Sequence, residues 1–178
     1  IQTKEPNDAH FALADLDRNW RGEGRNLLIV TQNVDDLHER AGAERLLHMH
    51  GEHLKALCVA CEIRSDWRAP MQHRPPCPIC GTPSLRPDVV WFGEMPYHMP
   101  EIYAAIRTAD LFVSIGTSGA VYPAAGFVRD AKQQLMRAQE IAARSAIDPE
   151  FCLEAAHYDA FHPAARLKWI GQNIPRAL

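Results

Sequence analysis

No apolar run in the 178-residue chain approaches the ~20 residues that a membrane-spanning helix needs. No basic-then-apolar leader with a small-residue cleavage site opens it, so the expected location is the cytoplasm and no membrane partner is expected. Charge of one sign is lacking too. The 19 Lys and Arg stand against 22 Asp and Glu, for a net charge of −3 and a pI near 6.3, which argues against a polyanion-binding surface and hence against nucleic acid as a partner. No internal repeat is visible. The 13 prolines make no low-complexity tract, because five of them fall between Pro70 and Pro83. Toward the end, β-forming residues run out: no threonine follows Thr117, no valine follows Val128, and no strand is expected from Gln133 on. What remains is ordinary. With 47% apolar and 23% charged residues, the expectation is one compact domain, or one with a small satellite.

The five cysteines carry a sharper signal. Cys58, Cys61, Cys77 and Cys80 form two C-x2-C pairs separated by fifteen residues, the spacing of a four-thiolate zinc site. Pro78 and Gly81 supply turn chemistry around the second pair. Two disulfides are the alternative, but they require an oxidising compartment, and no export signal is seen. With all four positions filled by sulfur, no place is left for water, so the metal is structural. It would hold together residues 54–86, a stretch too short for a good core of its own. Cys152 is left over and reads as a buried, inert thiol.

Elsewhere the pattern alternates. Apolar residues at 9, 12, 13, 16 and 20 follow a helical period, with Asn7 or Asp8 available as cap. Asn26–Thr31 (NLLIVT) is a short apolar strand-like run that ends in a polar burst, Gln32 to Asp36. A short helix is expected from Asp35 to Ala41, stopped by Gly42, then a strand over Leu46–His50. Further strands are expected at Asp88–Phe92 and, most clearly, at Asp110–Ile115 (DLFVSI), which Gly116-Thr117-Ser118-Gly119 follows. Helices are expected over 99–109 and 123–145, and an Ala-rich helical stretch over 133–160 interrupted at Pro149, with Pro163, Gly171 and Pro175 making the end irregular. Alternation of strands and helices implies an α/β fold with a parallel sheet. Ligands of such sheets sit at the carboxyl ends of the strands, where the segments 31–36 and 116–119 fall.

Five motifs, in order and with appropriate gaps, then acquire a common meaning. TQNVDDLHERAG (31–42), HMHGE (48–52), the two CxxC pairs, RPDVVWFGE (86–94) and IGTSGAVYPAAG (115–126) resemble the sirtuins, NAD-dependent protein-lysine deacylases, with the bacterial desuccinylase-like subgroup most similar. The resemblance runs from about residue 6 to about residue 132. It implies a partial Rossmann-like NAD-binding domain formed by 1–53 and 87–132, a zinc module at 54–86 inserted into it, and a divergent helical tail at 133–178. Two departures stand out. The family's Gly-rich opening, GAGxSxxSGIPxFR, has no counterpart, since GEGRN at 22–26 lacks the third glycine and a preceding strand. The family strand ending in an Asn-Leu-Glu adenosine-ribose contact is also missing after residue 132. The expectation is therefore an incomplete catalytic domain that binds NAD weakly. The alternative is a zinc-stabilised peptide-binding remnant.

By this resemblance, His50 is the catalytic base. The acyl-lysine carbonyl oxygen attacks the nicotinamide ribose, nicotinamide leaves, and a ribose hydroxyl that has lost its proton attacks the new centre, giving 2′-O-acyl-ADP-ribose. Imidazole suits that deprotonation near neutral pH. His48, two residues away, would face the same side of a strand, and only the motif singles out His50. Gln32, Asn33, Val34 and Asp35 match the family segment around the nicotinamide ribose and carboxamide, with Asp35 or Asp36 also available to cap the next helix. Gly116, Thr117 and Ser118 match its GTS loop, which serves NAD. Val90, Trp91, Phe92, Gly93 and Glu94 match the segment that pairs with an acyl-lysine peptide as an added strand. For Trp91 and Phe92, walling the acyl-lysine tunnel and core packing are equally plain readings. The implied cofactors are NAD and zinc, and the implied partners are acylated-lysine proteins or peptides.

Overall fold

The computed structural model describes residues 3–144. It divides into two compact units that meet in sequence at Met99 and Pro100.

The first unit opens with α1 (Asp8–Gly22). Asn7 is the cap: its Oδ1 accepts from the backbone of Ala9 at 3.1 Å and of His10 at 3.3 Å, and the His10 ring returns the contact to the Asn7 backbone. Then come β1 (Ile29–Thr31), α2 (Leu37–Arg40) and β2 (Leu46–His48). The two strands pair in parallel, with Ile29 opposite Leu46 and Thr31 opposite His48. Both are shorter than the apolar runs that contain them. Ala14 of α1, Ile29 of β1, and Ala41 and Ala43 beyond α2 form one core, with Leu13, Leu27 and Leu46 packed against it. Asp17 is fully buried in α1 and is not idle: its Oδ2 accepts from the Glu44 N–H at 3.2 Å, and Arg21 lies 3.4 Å from its other oxygen. Asp17 thus ties α1 to the entry of β2.

A second sheet follows, antiparallel in the order β4-β3-β5, made of β3 (Gly51–Cys58), β4 (Arg64–Asp66) and β5 (Leu85–Val89). The metal module is therefore built on strands reaching from residue 51 to residue 89, beyond the expected 54–86 on both sides. The run at 88–92 differs from the strand expected there. Only its first two residues belong to a strand, and that strand pairs with β3 of the module rather than with β1 or β2. Gly93, with φ of 91°, marks the turn that follows.

The second unit contains α4 (Ala124–Arg144) and all but the first residue of α3 (Met99–Thr108). Ile102 and Ile106 of α3 and Phe127 and Ala131 of α4 are buried, and Tyr103 meets Phe127 edge to face at 5.7 Å between centroids. The segment Asp110–Ile115 forms no strand, contrary to the clearest sequence expectation. A strand needs a neighbour to take its N–H and C=O groups. Among the described residues nothing pairs with this segment, and Val113 and Ile115 are about 40% exposed. Of the expected helical tail, residues 133–144 lie in α4. The remainder, with Cys152 and Pro149, lies outside the described residues. Among the described residues no helix is long and apolar enough to cross a membrane.

Candidate active site and metal centre

The parallel pair β1-β2 ends at Thr31 and His48, and there the chain leaves the sheet as the loop 32–36. The four successive carbonyls from Thr31 to Val34 are all paired. Thr31 C=O accepts from Met49 N–H at 3.1 Å. Gln32 C=O faces His50 Nδ1 at 3.1 Å, Asn33 C=O faces His48 Nδ1 at 3.1 Å, and Val34 C=O faces His53 Nδ1 at 2.7 Å. A carbonyl only accepts, so each Nδ1 carries the hydrogen. Neutral His50 therefore keeps its lone pair on Nε2, the arrangement a general base requires, and Nε2 makes no hydrogen bond among the described residues.

His48 differs. Its Nε2 lies 2.7 Å from Glu39 Oε1, so both ring nitrogens face acceptors. Burial pulls its pKa down, but the Glu39 hydrogen bond, the Asn33 carbonyl and the charges of Glu39 and Glu52 outweigh that and raise it above 6.5. Glu39 moves the other way: burial raises it, and the His48 hydrogen bond, its own backbone N–H and the charges of His48 and His38 together outweigh this and lower it. In the loop itself, Asn33 N–H donates to Thr31 Oγ1 at 3.1 Å, and Asp35 Oδ1 accepts from Leu37 N–H at 3.2 Å, so Asp35, not Asp36, bonds the start of α2. That leaves the second oxygen of Asp35 for other work.

The segment 88–94 comes to the same histidine through backbone. Val90 N–H donates to the His50 carbonyl at 2.9 Å. Gly51 sits between them with φ of 83°, and a Cβ there would stand 2.0 Å from the Asp88 carbonyl oxygen. Only glycine lets β3 approach β5 at this point. Beyond Val90 the turn is clasped: Arg86 holds both carboxylate oxygens of Glu94 at 2.9 and 3.1 Å, and Glu94 also accepts from Trp91 N–H at 2.9 Å. The Trp91 N–H and Arg86 hold the Glu94 carboxyl below its ordinary value. Trp91 and Phe92 are exposed, Phe92 completely, so among the described residues these rings pack in no core. Both rings lie beside the turn that the Arg86–Glu94 clasp holds.

Gly116, Thr117 and Ser118 belong to the second unit. Gly116 has φ of 68°, and the Thr117 and Ser118 hydroxyl oxygens accept from Gly119 and Ala120 N–H at 3.2 and 3.4 Å. All three residues are exposed.

The four cysteines converge. Their sulfurs all lie within 4.8 Å of one another, with Cys58 3.6 Å from Cys80 and Cys61 3.8 Å from Cys77. A disulfide needs ~2.05 Å, and none is present. A tetrahedron of sulfurs about zinc, at Zn–S ~2.3 Å, has edges of roughly 3.8 Å. The donor set and its spacing thus fit a zinc ion. Sulfurs so close resist ionising together. The Ser84 hydroxyl lowers the Cys58 thiol to about 6. At Cys61 the Ile63 backbone pulls down, but burial and the neighbouring sulfurs push the thiol up to about 12. A divalent cation removes that conflict. Ala56, Cys58, Cys77 and Leu85 form the module's small core.

Sequence reasoning passed over His53, Glu39, Arg86 and Asp88. Asp88 is 3% exposed and bonds Tyr97 Oη at 2.8 Å and Arg64 at 3.1 Å, with the Arg64 guanidinium 4.2 Å above the Tyr97 ring. The spacing of His48, His50 and His53 was the one available signal.

A short parallel pair with a polar loop and an imidazole at its carboxyl end, joined to a four-cysteine cluster that fits zinc, is the pattern of an α/β protein with a structural zinc module. Comparison with known proteins gives this class a family. The Sir2 family model matches residues 1–123. An NAD-dependent protein deacylase of Bdellovibrio bacteriovorus is 57% identical over 125 residues, 70% of this chain and 52% of its own. A solved Sir2 homologue–NAD complex superposes with a TM-score of 0.66 at 38% identity, covering 74% of this chain and 51% of that one. A Sir2 protein bound to a myristoylated histone peptide gives 0.59 at 36% identity, covering 73% and 56%. The chain belongs to the Sir2 family. It spans about half the length of the curated relatives it matches.

Proposed function

We propose that this chain carries the base and the nicotinamide-ribose loop of an NAD-dependent protein-lysine deacylase. The observation that carries the reading is His50: its Nδ1–H is fixed by the Gln32 carbonyl, and its Nε2 lone pair is left for a substrate proton. The surroundings fit the dinucleotide's sugar. Gln32, Asn33 and the second oxygen of Asp35 offer donors and acceptors for hydroxyls and a carboxamide on the loop that His50 grips. NAD, when bound, supplies an electrophilic ribose carbon with nicotinamide as leaving group. The residues of the chain do the rest. His50 Nε2 takes the proton of a ribose hydroxyl, and the charge it gains is stabilised through Nδ1–H by the Gln32 carbonyl. The Val90 backbone, bonded to His50, places the peptide segment beside the base, and the outward rings of Trp91 and Phe92 offer apolar surface to an acyl-lysine side chain. Gly116, Thr117 and Ser118 serve the dinucleotide by family likeness. Acylated-lysine peptides are the proposed substrates, in line with the relatives' names and with the histone-peptide complex.

The test is formation of deacylated peptide and acyl-ADP-ribose by the zinc-loaded chain at millimolar NAD with an acyl-lysine peptide. Product should require both NAD and the peptide and fall by about a hundredfold or more in His50→Ala. No product from the wild-type chain, or equal product from both, contradicts the reading.

A further inference from the structure

We propose that His48 and His53 are positioning residues. Together with His50 they take the carbonyls of the loop 32–34 as a neighbouring strand would and thereby fix the direction in which its amide side chains point. This rests on the deacylase reading only for what the loop binds. The geometry is a regular succession. The carbonyls of Thr31, Gln32, Asn33 and Val34 are taken in turn by Met49 N–H, His50 Nδ1, His48 Nδ1 and His53. The last carbonyl receives two bonds from one residue, the backbone N–H at 2.9 Å and the ring at 2.7 Å. A loop that leaves a sheet normally surrenders its carbonyls to water. Here three imidazoles hold them, and the backbone of 32–34 cannot turn without breaking a ring contact.

His48 has the second grip. Through Glu39 it also ties the loop to α2, and because both its ring nitrogens donate, the grip is complete only in the doubly protonated ring. The charges facing it are Glu39 and His38 on α2 and Glu52 on β3. Lys55, Arg64 and Asp88 line the roughly 600 Å³ cavity beside it. His50 then acts as base while its neighbours hold the groups it must meet.

The experiment is long-range proton–nitrogen NMR of the histidine rings in the zinc-loaded full chain. At pH 6, His48 should carry hydrogen on both nitrogens, and the neutral forms of His50 and His53 should carry it on Nδ1. A singly protonated His48, or His53 with hydrogen on Nε2 alone, overturns the proposal. Glu39→Gln should lower the His48 titration midpoint, and an unmoved midpoint counts against it. His53→Phe and His48→Phe should shift the carbonyl resonances of Gln32 to Val34, leave those of Ala56 and Cys58 in place, and weaken NAD-induced shifts at Gln32 and Asn33 about tenfold. Unchanged loop resonances in folded variants refute the positioning role. Should either variant not fold, the ring protonation states and Glu39→Gln still decide. If the rings behave as stated and NAD moves nothing, the deacylase reading fails and the positioning stands.

Discussion

At the residue scale the molecule turns on hydrogen direction and on one missing Cβ. His50 is legible from the HGE motif, but its tautomer is not, because the tautomer is set by Gln32, eighteen residues earlier, and appears only when β1 and β2 lie side by side. Gly51 is legible as a motif letter, and its reason is physical: a side chain there meets the Asp88 carbonyl. Gly51→Ala combines that clash with a left-handed backbone, so it should cost about 2 kcal/mol or more and detach β3 from β5, measured by denaturant unfolding. The Glu39–His48 pair gives a pH signature. His48 titrates above 6.5, so its contribution is complete below 6.5 and is lost as pH rises through the raised value. Glu39 titrates below 4.5, so its contribution is complete above 4.5 and is lost as pH falls through the lowered value. The Tm difference between wild type and Glu39→Gln should peak between pH 4.5 and 6.5 and narrow on both sides. It should be small, because Glu39 is 42% exposed and screened. A difference that grows steadily toward alkaline pH would exclude the pair as its source.

At the scale of elements, helices were easier to read than strands. α1, α3 and the start of α4 lie within a residue or two of their expected bounds, since period and caps are local signals. Asn7 caps α1 as its type suggested, and Asn7→Ala should lower stability by about 1 kcal/mol without altering the fold. Strands depend on partners that a linear pattern does not name. NLLIVT and DLFVSI look alike as sequence, yet only the first finds a neighbour, β2, among the described residues. The Asp88–Phe92 run is apolar for two unrelated reasons: its start packs in the antiparallel sheet, and its rings point outward from the Arg86–Glu94 clasp. Arg86→Ala should free that clasp and increase Trp91 mobility, seen as lower fluorescence anisotropy, while leaving zinc content at the wild-type level.

At the scale of the whole molecule, the two CxxC pairs and the order of five motifs were enough to place the family, because metal spacing and loop chemistry survive as local strings. The number of strands in each sheet was not, because it is a property of assembly. The module depends on its metal: residues 51–89 have a core of only Ala56, Cys58, Cys77 and Leu85. One zinc per chain is expected by metal assay, and chelation or Cys77→Ser should unfold β3, β4 and β5 in hydrogen exchange before α1 yields. Loss of β3 would carry away His53 and the Val90 contact, so metal removal should also abolish ligand binding at a loop that holds no metal. In the proposed function the loop 32–35 and His50 receive the nicotinamide ribose. That role is tested most directly by titrating the isotope-labelled, zinc-loaded chain with NAD into the millimolar range. The expected result is a saturable set of shifts centred on Gln32, Asn33, Asp35 and the His50 ring. Shifts confined to the zinc module, or none in that loop at saturation elsewhere, would contradict it.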